Sequence, residues 1–429
     1  MPASPRAILE TLYHAGVRAV DPGTAVTRTL ANRPIAGPSR VHLLSIGKAA
    51  DRMAEAALRF LAEQGVSPAG GLVVSVEPGN TSAALPRICG DHPIPGPGSL
   101  AAAATLKAAA ANVAPGDQVW VLLSGGTSSL IAAPVAHLAP TDVSRLFTDL
   151  LGSGLDIHQM NLIRKRFTTW GAGRLASALA GAQVSVLAIS DVPGNNPASI
   201  GSGPVSPDPS TGREIRALLE THRVSAQHPG LGIYLDSVVA GRFPETPKPG
   251  DAAFDQVDFT IIADNQTAMK GVASEAARLN IPFSLEPALT GDVQDAAQVI
   301  VERLGSAMSG HPHCIIWGGE TTVTTGADHG SGGRCQQLAL VVSAALADRK
   351  IPATILAAGT DGRDGPTDAA GAIVDRNTIG LSRSGGIDTE ESVRRHDAYT
   401  ALRPAGALFH TGPTGTNVMD LVIGLIVPD

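Results

Sequence analysis

The sequence predicts an α/β protein of two domains, with a parallel sheet in the first and a mixed sheet in a smaller second. Short apolar runs end at glycine turns and lead into alanine-rich helical stretches, the rhythm of a parallel sheet covered by helices. The 48 glycines and 31 prolines punctuate these runs. Because 429 residues exceed what one hydrophobic core normally serves, we expect an N-terminal domain over 1–250 and a C-terminal domain over 251–429.

The first half alternates strands and helices after an amphipathic N-terminal helix. In order, the predicted strands are "VHLLSIG", "GLVVSV", "DQVWVLLSGG" and "AQVSVLAISDV". The first three lead into helical stretches and the fourth into a long polar loop. A loop-rich stretch around 224–256 is predicted to be the linker. In open α/β sheets ligands bind at the carboxyl ends of strands, so the turns there carry the candidate chemistry.

The second half repeats the rhythm without a fixed internal repeat. Its predicted strands are "DFTIIADN", "HCIIWGGETTVTT", "ATILAAGTDG" and "VMDLVIGLIV". The alternating, threonine-rich "ETTVTT" is typical of a strand in a mixed sheet.

Composition argues against several classes of protein. The net charge is −7, no basic stripe is present and aromatic residues make up 3%, so nucleic acid is not expected as a partner. Three widely spaced cysteines match neither a disulfide framework nor a zinc site, which favours a reducing cytoplasm. No signal peptide or membrane-spanning run is apparent. We expect a cytoplasmic protein with a small-molecule substrate; a homodimer stays open, because nothing fixes the oligomeric state.

Two turns in the first half are candidate anion sites. Lys48 in "LLSIGKAADRM" opens a helix, where an ammonium and free N–H groups favour phosphate or carboxylate, although local sequence alone favours a lysine that reaches solvent. "VLLSGGTSSL" is predicted to form a nest of N–H donors or simply a capped glycine turn, with Ser124, Gly125, Gly126 and Thr127. Neither G-x-x-x-x-G-K-[ST] nor a G-x-G-x-x-G after a strand occurs, so the standard nucleotide fingerprints are missing.

Two further segments of the first half carry polar candidates. Asp191 follows a buried strand and begins a long loop, which favours a functional role over a simple turn cap. Asn161 and Arg164 lie three apart on one predicted helix face. Arg164 could bind a carboxylate, but the run Arg164, Lys165, Arg166 is more typical of a solvated edge.

The second half offers four candidates at strand ends or helix starts. Arg334 opens a helix, where a cation opposes the macrodipole unless an anion bridges them, and this favours an anionic ligand. Glu320 follows a glycine pair, and Asp361 begins the aspartate-rich loop of "AAGTDGRDGPTDAAGA", which suits Mg²⁺ or an ordinary Asp-Gly turn. Asn417 in "FHTGPTGTNVMDL" is predicted to be a cap or a phosphate contact.

Taken together and in order, these motifs resemble the class II glycerate 2-kinases over nearly the whole chain. The runs that carry the resemblance are "SIGKAADRM", "GDHPIPGPGS", "LLSGGTSSLIAAP", "AISDVPGNNPASIGSGP", "GGETTVTTG", "GSGGRCQQLAL", "AAGTDGRDGPTDAAGA" and "HTGPTGTNVMDL". The C-terminal part is similar to the MOFRL domain. The family is also labelled hydroxypyruvate reductase, a label that the missing dinucleotide fingerprint does not support.

The resemblance implies a Rossmann-like N-terminal domain, a smaller α/β C-terminal domain and an active site in the cleft between them. It implies ATP- and Mg²⁺-dependent phosphorylation of D-glycerate at the 2-hydroxyl. Matched by motif, its active-site residues are Lys48, Asp191, Glu320, Arg334, Asp361 and Asn417. The chain departs from the family's usual pattern at Cys335 and Gln337, where asparagine and glutamate are usual, and at "WGAG" near 170–173.

These candidates lead to a hypothesis with assigned roles. Lys48 and Arg334 neutralise the transferring phosphoryl group with help from backbone N–H groups of the glycine pair, and Glu320 and Asp361 hold Mg²⁺. Asp191 orients or deprotonates the 2-hydroxyl. The predicted nucleotide contacts are Ser124, Gly125, Gly126, Thr127 and Asn417, and the predicted substrate contacts are Asn161 and Arg164. An NAD(P)H-dependent hydroxypyruvate reductase and a non-catalytic binder of sugar phosphates are the alternatives.

Overall fold

Two sheets organise the chain in the computed structural model, which describes residues 4–33, 40–77, 85–151, 155, 157–224, 228–308, 311–324 and 328–427. Contacts group Pro22–Ile262 into one compact unit, and Met1–Asp21 with Ala263–Asp429 into another. We call these the parallel-sheet unit and the mixed-sheet unit. The sequence-based boundary after residue 250 stays a prediction, but the first helix lies with the C-terminal part of the chain.

The parallel-sheet unit has the doubly wound strand order 3-2-1-4-5-6. Its strands are β1 (Val41–Ile46), β2 (Gly70–Ser75), β3 (Arg87–Cys89), β4 (Gln118–Leu123), β5 (Gln183–Ile189) and β6 (Val257–Ala263). The pairs β2–β3, β1–β2, β1–β4 and β4–β5 are parallel. Every residue of β1 and β4 is buried, as expected for strands covered on both faces. The predicted Rossmann-like fold is therefore confirmed, and its switch point lies between β1 and β4.

Helices cover this sheet. They are α2 (Pro22–Leu30), α3 (Ala50–Glu63), α4 (Pro97–Ala111), α5 (Thr127–Leu130), α6 (Pro140–Leu151), α7 (Ile157–Arg166), α8 (Arg174–Ala178), α9 (Gly212–Thr221) and α10 (Pro229–Val239). Local sequence sets several of their starts. Proline stands at the first position of α4 and α10, and Thr211 and Glu214 form a reciprocal capping box at α9.

The second sheet is mixed, as predicted, in the order β12-β11-β10-β13-β9-β7, with β8 also paired to β9. Its strands are β7 (Phe283–Leu285), β8 (Leu289–Asp292), β9 (His313–Thr322), β10 (Ala353–Gly359), β11 (Gly371–Asp375), β12 (Leu408–Phe409) and β13 (Asp420–Ile426). β7 and β8 run parallel to β9, whereas the pairs from β9 through β12 are antiparallel. The antiparallel pairing places the start of β13 beside the end of β9 and the end of β10.

Helices also cover the mixed sheet. They are α1 (Pro5–Ala19), α11 (Asn265–Arg278), α12 (Val293–Ser306), α13 (Arg334–Arg349), α14 (Thr378–Ser384), α15 (Thr389–Arg394) and α16 (Ala398–Leu402). Helix α1 packs closely on α11, because a Cβ at Gly271 would lie 2.5 Å from the Cβ of Ala19. Within the described part of the chain, no helix combines the length and apolar character that a membrane crossing needs.

Candidate active site

The switch point of the parallel sheet is closed by hydrogen bonds between the turns after β1 and β4. The Lys48 N–H donates to the Gly125 carbonyl at 2.8 Å, and the Ala49 N–H donates to the Ser124 hydroxyl at 3.0 Å. A side chain at Gly47, whose φ is +133°, would place its first carbon 2.1 Å from Ser124 Oγ. Only glycine fits this approach. The backbone of Lys48 is thus fixed at the carboxyl end of β1, while its side chain is exposed.

The two hydroxyl residues of the β4 turn have structural partners. Thr127 Oγ1 donates to the carbonyls of Ile46 at 2.9 Å and Ser124 at 2.8 Å. Both Ser124 and Thr127 are buried. These contacts account for the two hydroxyls through the fold, so their predicted contact with a nucleotide stays a prediction.

The glycine pair between these two residues, Gly125 and Gly126, differs from them in its hydrogen bonding. Among the described residues, the backbone N–H groups of Gly125 and Gly126 have no acceptor. Gly126 has a left-handed φ of +88° and immediately precedes α5. Unpaired N–H groups in such a turn form a concave donor site for an anion.

Asp191 lies against this glycine pair. It follows β5, and a Cβ at Gly125 would come 2.1 Å from Asp191 Oδ2. The Lys48 stem covers the next glycine, because a Cβ at Gly126 would lie 3.3 Å from Lys48 Cγ. The structure therefore brings together Lys48, the glycine pair and Asp191, which sequence analysis singled out from their strand-end positions.

His92 completes this group and was missed by sequence analysis. Its ring lies over Gly126, where a Cβ would be 3.2 Å from His92 Cδ2 and 3.5 Å from Nε2. Desolvation by surrounding protein atoms, followed by the positive charges of Lys48 and Arg164, lowers the pKa of His92 to about 4. The imidazole is therefore neutral near pH 7. In the structure His92 stands three residues after the short strand β3, which the sequence pattern did not predict, so its only signal in the sequence was its place in "GDHPIPGPGS".

Arg164 lies on α7 and has no acidic partner among the residues that the structure describes. Its guanidinium carbon is 4.9 Å from the centre of the Phe147 ring, and its buried Nε has no hydrogen-bond partner among the described residues. Burial lowers the pKa of Arg164. Asn161, one turn earlier, is half-buried. A guanidinium held on an aromatic ring without a carboxylate is suited to bind an anionic ligand.

The interpretation of the basic run as a solvated edge is wrong. Lys165 and Arg166 are 3% and 1% exposed. Lys165 Nζ lies 2.9 Å from Asp208, and one terminal nitrogen of Arg166 donates to both carboxylate oxygens of Glu245 at 2.8 Å. These partners stand 43 and 79 residues further along the chain, so a local pattern could not reveal them. The buried ion pairs anchor the end of α7 that carries Arg164.

In the mixed-sheet unit, Arg334 at the start of α13 is already paired. Its Nε and one terminal nitrogen lie 2.6 and 2.8 Å from the two oxygens of Asp420, and its other terminal nitrogen lies 2.9 Å from Glu320. Burial alone would lower the pKa of Arg334, but its hydrogen bonds to Asp420 raise it. The argument that a cation at this helix start requires an anionic ligand is therefore wrong, because two protein carboxylates compensate it.

Two aspartates of the loop after β10, Asp361 and Asp364, have different surroundings. Asp364 is buried and accepts from the N–H groups of Cys335 and Gln336 at 3.1 and 2.8 Å, which caps α13. Burial raises the pKa of Asp364 to about 6 although these two donors lower it. Asp361 is half-buried and accepts from the Arg363 N–H at 3.0 Å. The Asp364 carboxylate thus serves the fold, and Asp361 is the more exposed of the two residues.

The carboxylates of Asp361 and Asp420 converge beside Gly359. A Cβ built there would lie 3.1 Å from Asp361 Oδ1 and 3.6 Å from Asp420 Oδ1. Asp361 Oδ2 has no hydrogen-bond donor among the described residues. Over the same residues, no group of three His, Cys, Asp or Glu side chains is arranged to hold a metal. Asp361 fits a role as one carboxylate ligand of Mg²⁺, whereas Glu320 would first have to release Arg334.

The structure also shows the surroundings of Asn417, Cys335 and Gln337. Asn417 Oδ1 accepts from the Met419 N–H at 3.1 Å, so this side chain shapes the turn before β13. Cys335 and Gln337 are buried, and the Gln337 side-chain amide donates to the Val393 carbonyl at 2.8 Å. Burial raises the pKa of the Cys335 thiol.

We expect Gly125→Ala to lower activity strongly with little loss of stability. The new methyl group would occupy the position of Asp191 Oδ2 and force that carboxylate away from the glycine turn. A displacement of this kind costs about 100-fold in turnover. Gly230→Ala on α10 is the matched control, because its nearest neighbour would be 3.7 Å away. The test measures kcat and the thermal midpoint of both variants. Wild-type activity of Gly125→Ala would show that the contact between Asp191 and the glycine turn is not needed for activity.

Comparisons with known proteins cover both units. The domain of unknown function DUF4147 matches residues 8–231, and the MOFRL family matches residues 313–420. A glycerate 2-kinase of Pyrococcus horikoshii is 35% identical over 90% of this chain and 87% of its own. A putative hydroxypyruvate reductase of Agrobacterium vitis is 34% identical over 97% of this chain and 94% of its own. The crystal structure of a glycerate kinase from Thermotoga maritima has a TM-score of 0.85 and 32% identity, covering 98% of this chain and 99% of that one.

Proposed function

Because this chain belongs to the glycerate 2-kinase family with DUF4147 and MOFRL domains, we propose that it transfers the γ-phosphoryl group of ATP to the 2-hydroxyl of D-glycerate. The products are 2-phosphoglycerate and ADP. The observation that carries the proposal is the group at the switch point. There an exposed lysine, a carboxylate and two backbone N–H groups with no acceptor among the described residues meet where doubly wound sheets bind their ligands.

Charge neutralisation and positioning carry most of the acceleration in phosphoryl transfer. Lys48 and the N–H groups of Gly125 and Gly126 stabilise the negative charge of the transferring group. The 2-hydroxyl oxygen attacks the γ-phosphorus, the bond from this phosphorus to the β–γ bridging oxygen breaks, and ADP leaves. Asp191 orients the hydroxyl or takes its proton.

Arg164 is proposed to bind the glycerate carboxylate, because this guanidinium on α7 has no carboxylate partner in the described part of the chain. Asn161 on the same helix is proposed as a second contact of the substrate. Arg334 is proposed as a further cation for the phosphates and Asn417 as a nucleotide contact. That residues of both units act on one substrate stays a prediction, and variants in each unit test it.

Mg²⁺ is proposed as the accompanying metal. When bound, it would neutralise phosphate charge and orient the β- and γ-phosphates. Asp361 would hold it, and water and phosphate oxygens would complete its shell. Glu320 is a weaker candidate because it already pairs with Arg334.

A hydroxypyruvate reductase is the alternative, since two of the relatives bear that name. The doubly wound strand order also occurs in dinucleotide-dependent enzymes, so the fold alone does not separate the two functions. The turn after β1 separates them better: it reads "GKAAD" and presents a lysine, where a dinucleotide fingerprint would read G-x-G-x-x-G. The relatives named as kinases favour the kinase.

We expect purified protein to form 2-phosphoglycerate from D-glycerate, ATP and Mg²⁺. Enolase detects this product directly, because it accepts the 2-phosphate and not the 3-phosphate. A parallel reaction contains hydroxypyruvate and NADH or NADPH. Cofactor oxidation there, with silence in the enolase-coupled reaction, would replace the kinase by the reductase. Ligand-induced thermal stabilisation without turnover in either reaction would indicate a non-catalytic binder.

A further inference from the structure

The imidazole of His92 has no role in the mechanism above, yet it belongs to the same group of side chains. It lies over Gly126 with its Cδ2–Nε2 edge, beside the Lys48 stem. The neighbouring glycine is covered by Asp191. His92 is also exposed, so a ligand on the glycine turn can reach its ring. An imidazole in this position can bind a ligand directly.

The charges around His92 indicate which part of a ligand it meets. The positive charges of Lys48, in the turn after β1, and of Arg164, on α7, both lower the pKa of His92. Asp191 faces the same turn from the end of β5. In the proposed reaction, Lys48 serves the phosphoryl group and Arg164 the carboxylate. The atom that joins these two groups in the substrate is the carbon that bears the 2-hydroxyl.

The neutral state of the ring suits a hydroxyl partner. A third cation beside Lys48 and Arg164 would repel both of them, whereas a neutral imidazole adds a hydrogen bond without added charge. Its Nε2 can donate to the hydroxyl oxygen or accept the hydroxyl proton, depending on the tautomer.

We propose that His92 is a substrate-binding residue whose imidazole hydrogen-bonds the 2-hydroxyl of a small 2-hydroxy acid, while Arg164 holds the acid's carboxylate. This inference rests on the proposed function, and it names the specificity-determining group of that site. It makes the 2-hydroxyl, rather than the carboxylate alone, the feature by which the protein selects its substrate.

His92→Leu and His92→Gln test this assignment. Leucine removes the hydrogen bond, and we expect kcat/KM for D-glycerate to fall about 30-fold with KM for ATP unchanged, which is the range for one lost hydrogen bond in a site. Glutamine can place an amide near the Nε2 position, so it is expected to restore part of the loss. His222→Leu, at the end of α9, is the matched control and is expected to behave like wild type.

Direct binding separates this inference from the proposed function. Calorimetry compares D-glycerate with 3-hydroxypropionate, which is glycerate without its 2-hydroxyl. Wild type is expected to prefer D-glycerate about 10-fold or more, and His92→Leu is expected to lose that preference by weakening only D-glycerate. If wild type phosphorylates D-glycerate and His92→Leu keeps its kinetics and its preference, the role of His92 is overturned and the kinase remains. If wild type neither binds nor phosphorylates D-glycerate, both proposals are overturned.

Discussion

Replacing Lys48 by alanine is expected to lower kcat/KM by about three orders of magnitude without destabilising the protein. The backbone of Lys48 is held by the Gly125 carbonyl, and alanine keeps that bond. The side chain is exposed and makes no ion pair among the described residues, so the fold does not depend on the ammonium. Loss of one preorganised charge at a transferring phosphoryl group costs about 10³-fold or more. The enolase-coupled assay and thermal unfolding measure the two quantities separately.

The control for this variant is Lys107→Ala, which removes an exposed lysine from α4 in the same unit. It is expected to retain wild-type kcat/KM and stability. Lys48→Ala with more than a tenth of wild-type activity would remove Lys48 from the site. If the thermal midpoint of Lys48→Ala falls so far that unfolding accounts for the lost activity, the ammonium is instead structural.

Sequence analysis found the part of the site that depends on strand ends. Lys48, the glycine pair and Asp191 follow three strands, and parallel neighbouring strands finish at the same edge of a sheet. Once the rhythm of strands and helices indicates a parallel sheet, side chains just after those strands are expected to lie close together. This reasoning needs only local patterns and the regularity of the sheet.

The rest of the site depends on contacts that local patterns do not encode. His92 follows the three-residue strand β3, which is too short for a periodic pattern to reveal. Asp420 pairs with Arg334 across 86 residues, because the antiparallel register places the first residue of β13 opposite Gly319. The burial of Lys165 likewise depends on Asp208, which belongs to a distant loop.

The N-terminal helix shows the same limit at the level of domains. Its amphipathic pattern predicts a helix correctly, but the apolar face does not tell which sheet it covers. Tyr13 on this helix is fully buried and donates to the Gly359 carbonyl at 2.6 Å, at the end of β10. Helix α1 therefore helps to fix the loop that carries Asp361, although the whole parallel-sheet unit lies between them in the chain.

Arg334→Ala is expected to have the second large effect, and it differs from Lys48→Ala because stability falls together with activity. Asp420 is 4% exposed and shares its surroundings with the buried carboxylate of Asp364. Without the guanidinium, the carboxylates of Asp420 and Glu320 lose their positively charged partner. Leaving a buried charge unpaired costs about 3 to 5 kcal/mol, and the lower end applies because Arg334 itself is about one third exposed. Urea unfolding at pH 7 measures this cost.

A second substitution separates the two losses. Asp420→Asn removes the charge that Arg334 compensates, so Arg334→Ala with Asp420→Asn is expected to recover at least half of the lost free energy of unfolding. If Arg334 also acts on the phosphates, kcat/KM stays about 10³-fold below wild type in that double variant. Recovery of activity along with stability would show that Arg334 serves the fold alone. Arg349→Ala, at the exposed far end of α13, is the control and is expected to change neither quantity appreciably. The pair of variants therefore decides whether the ion pair of Arg334 and Asp420 is part of the catalytic machinery or only of the fold that carries Asp361.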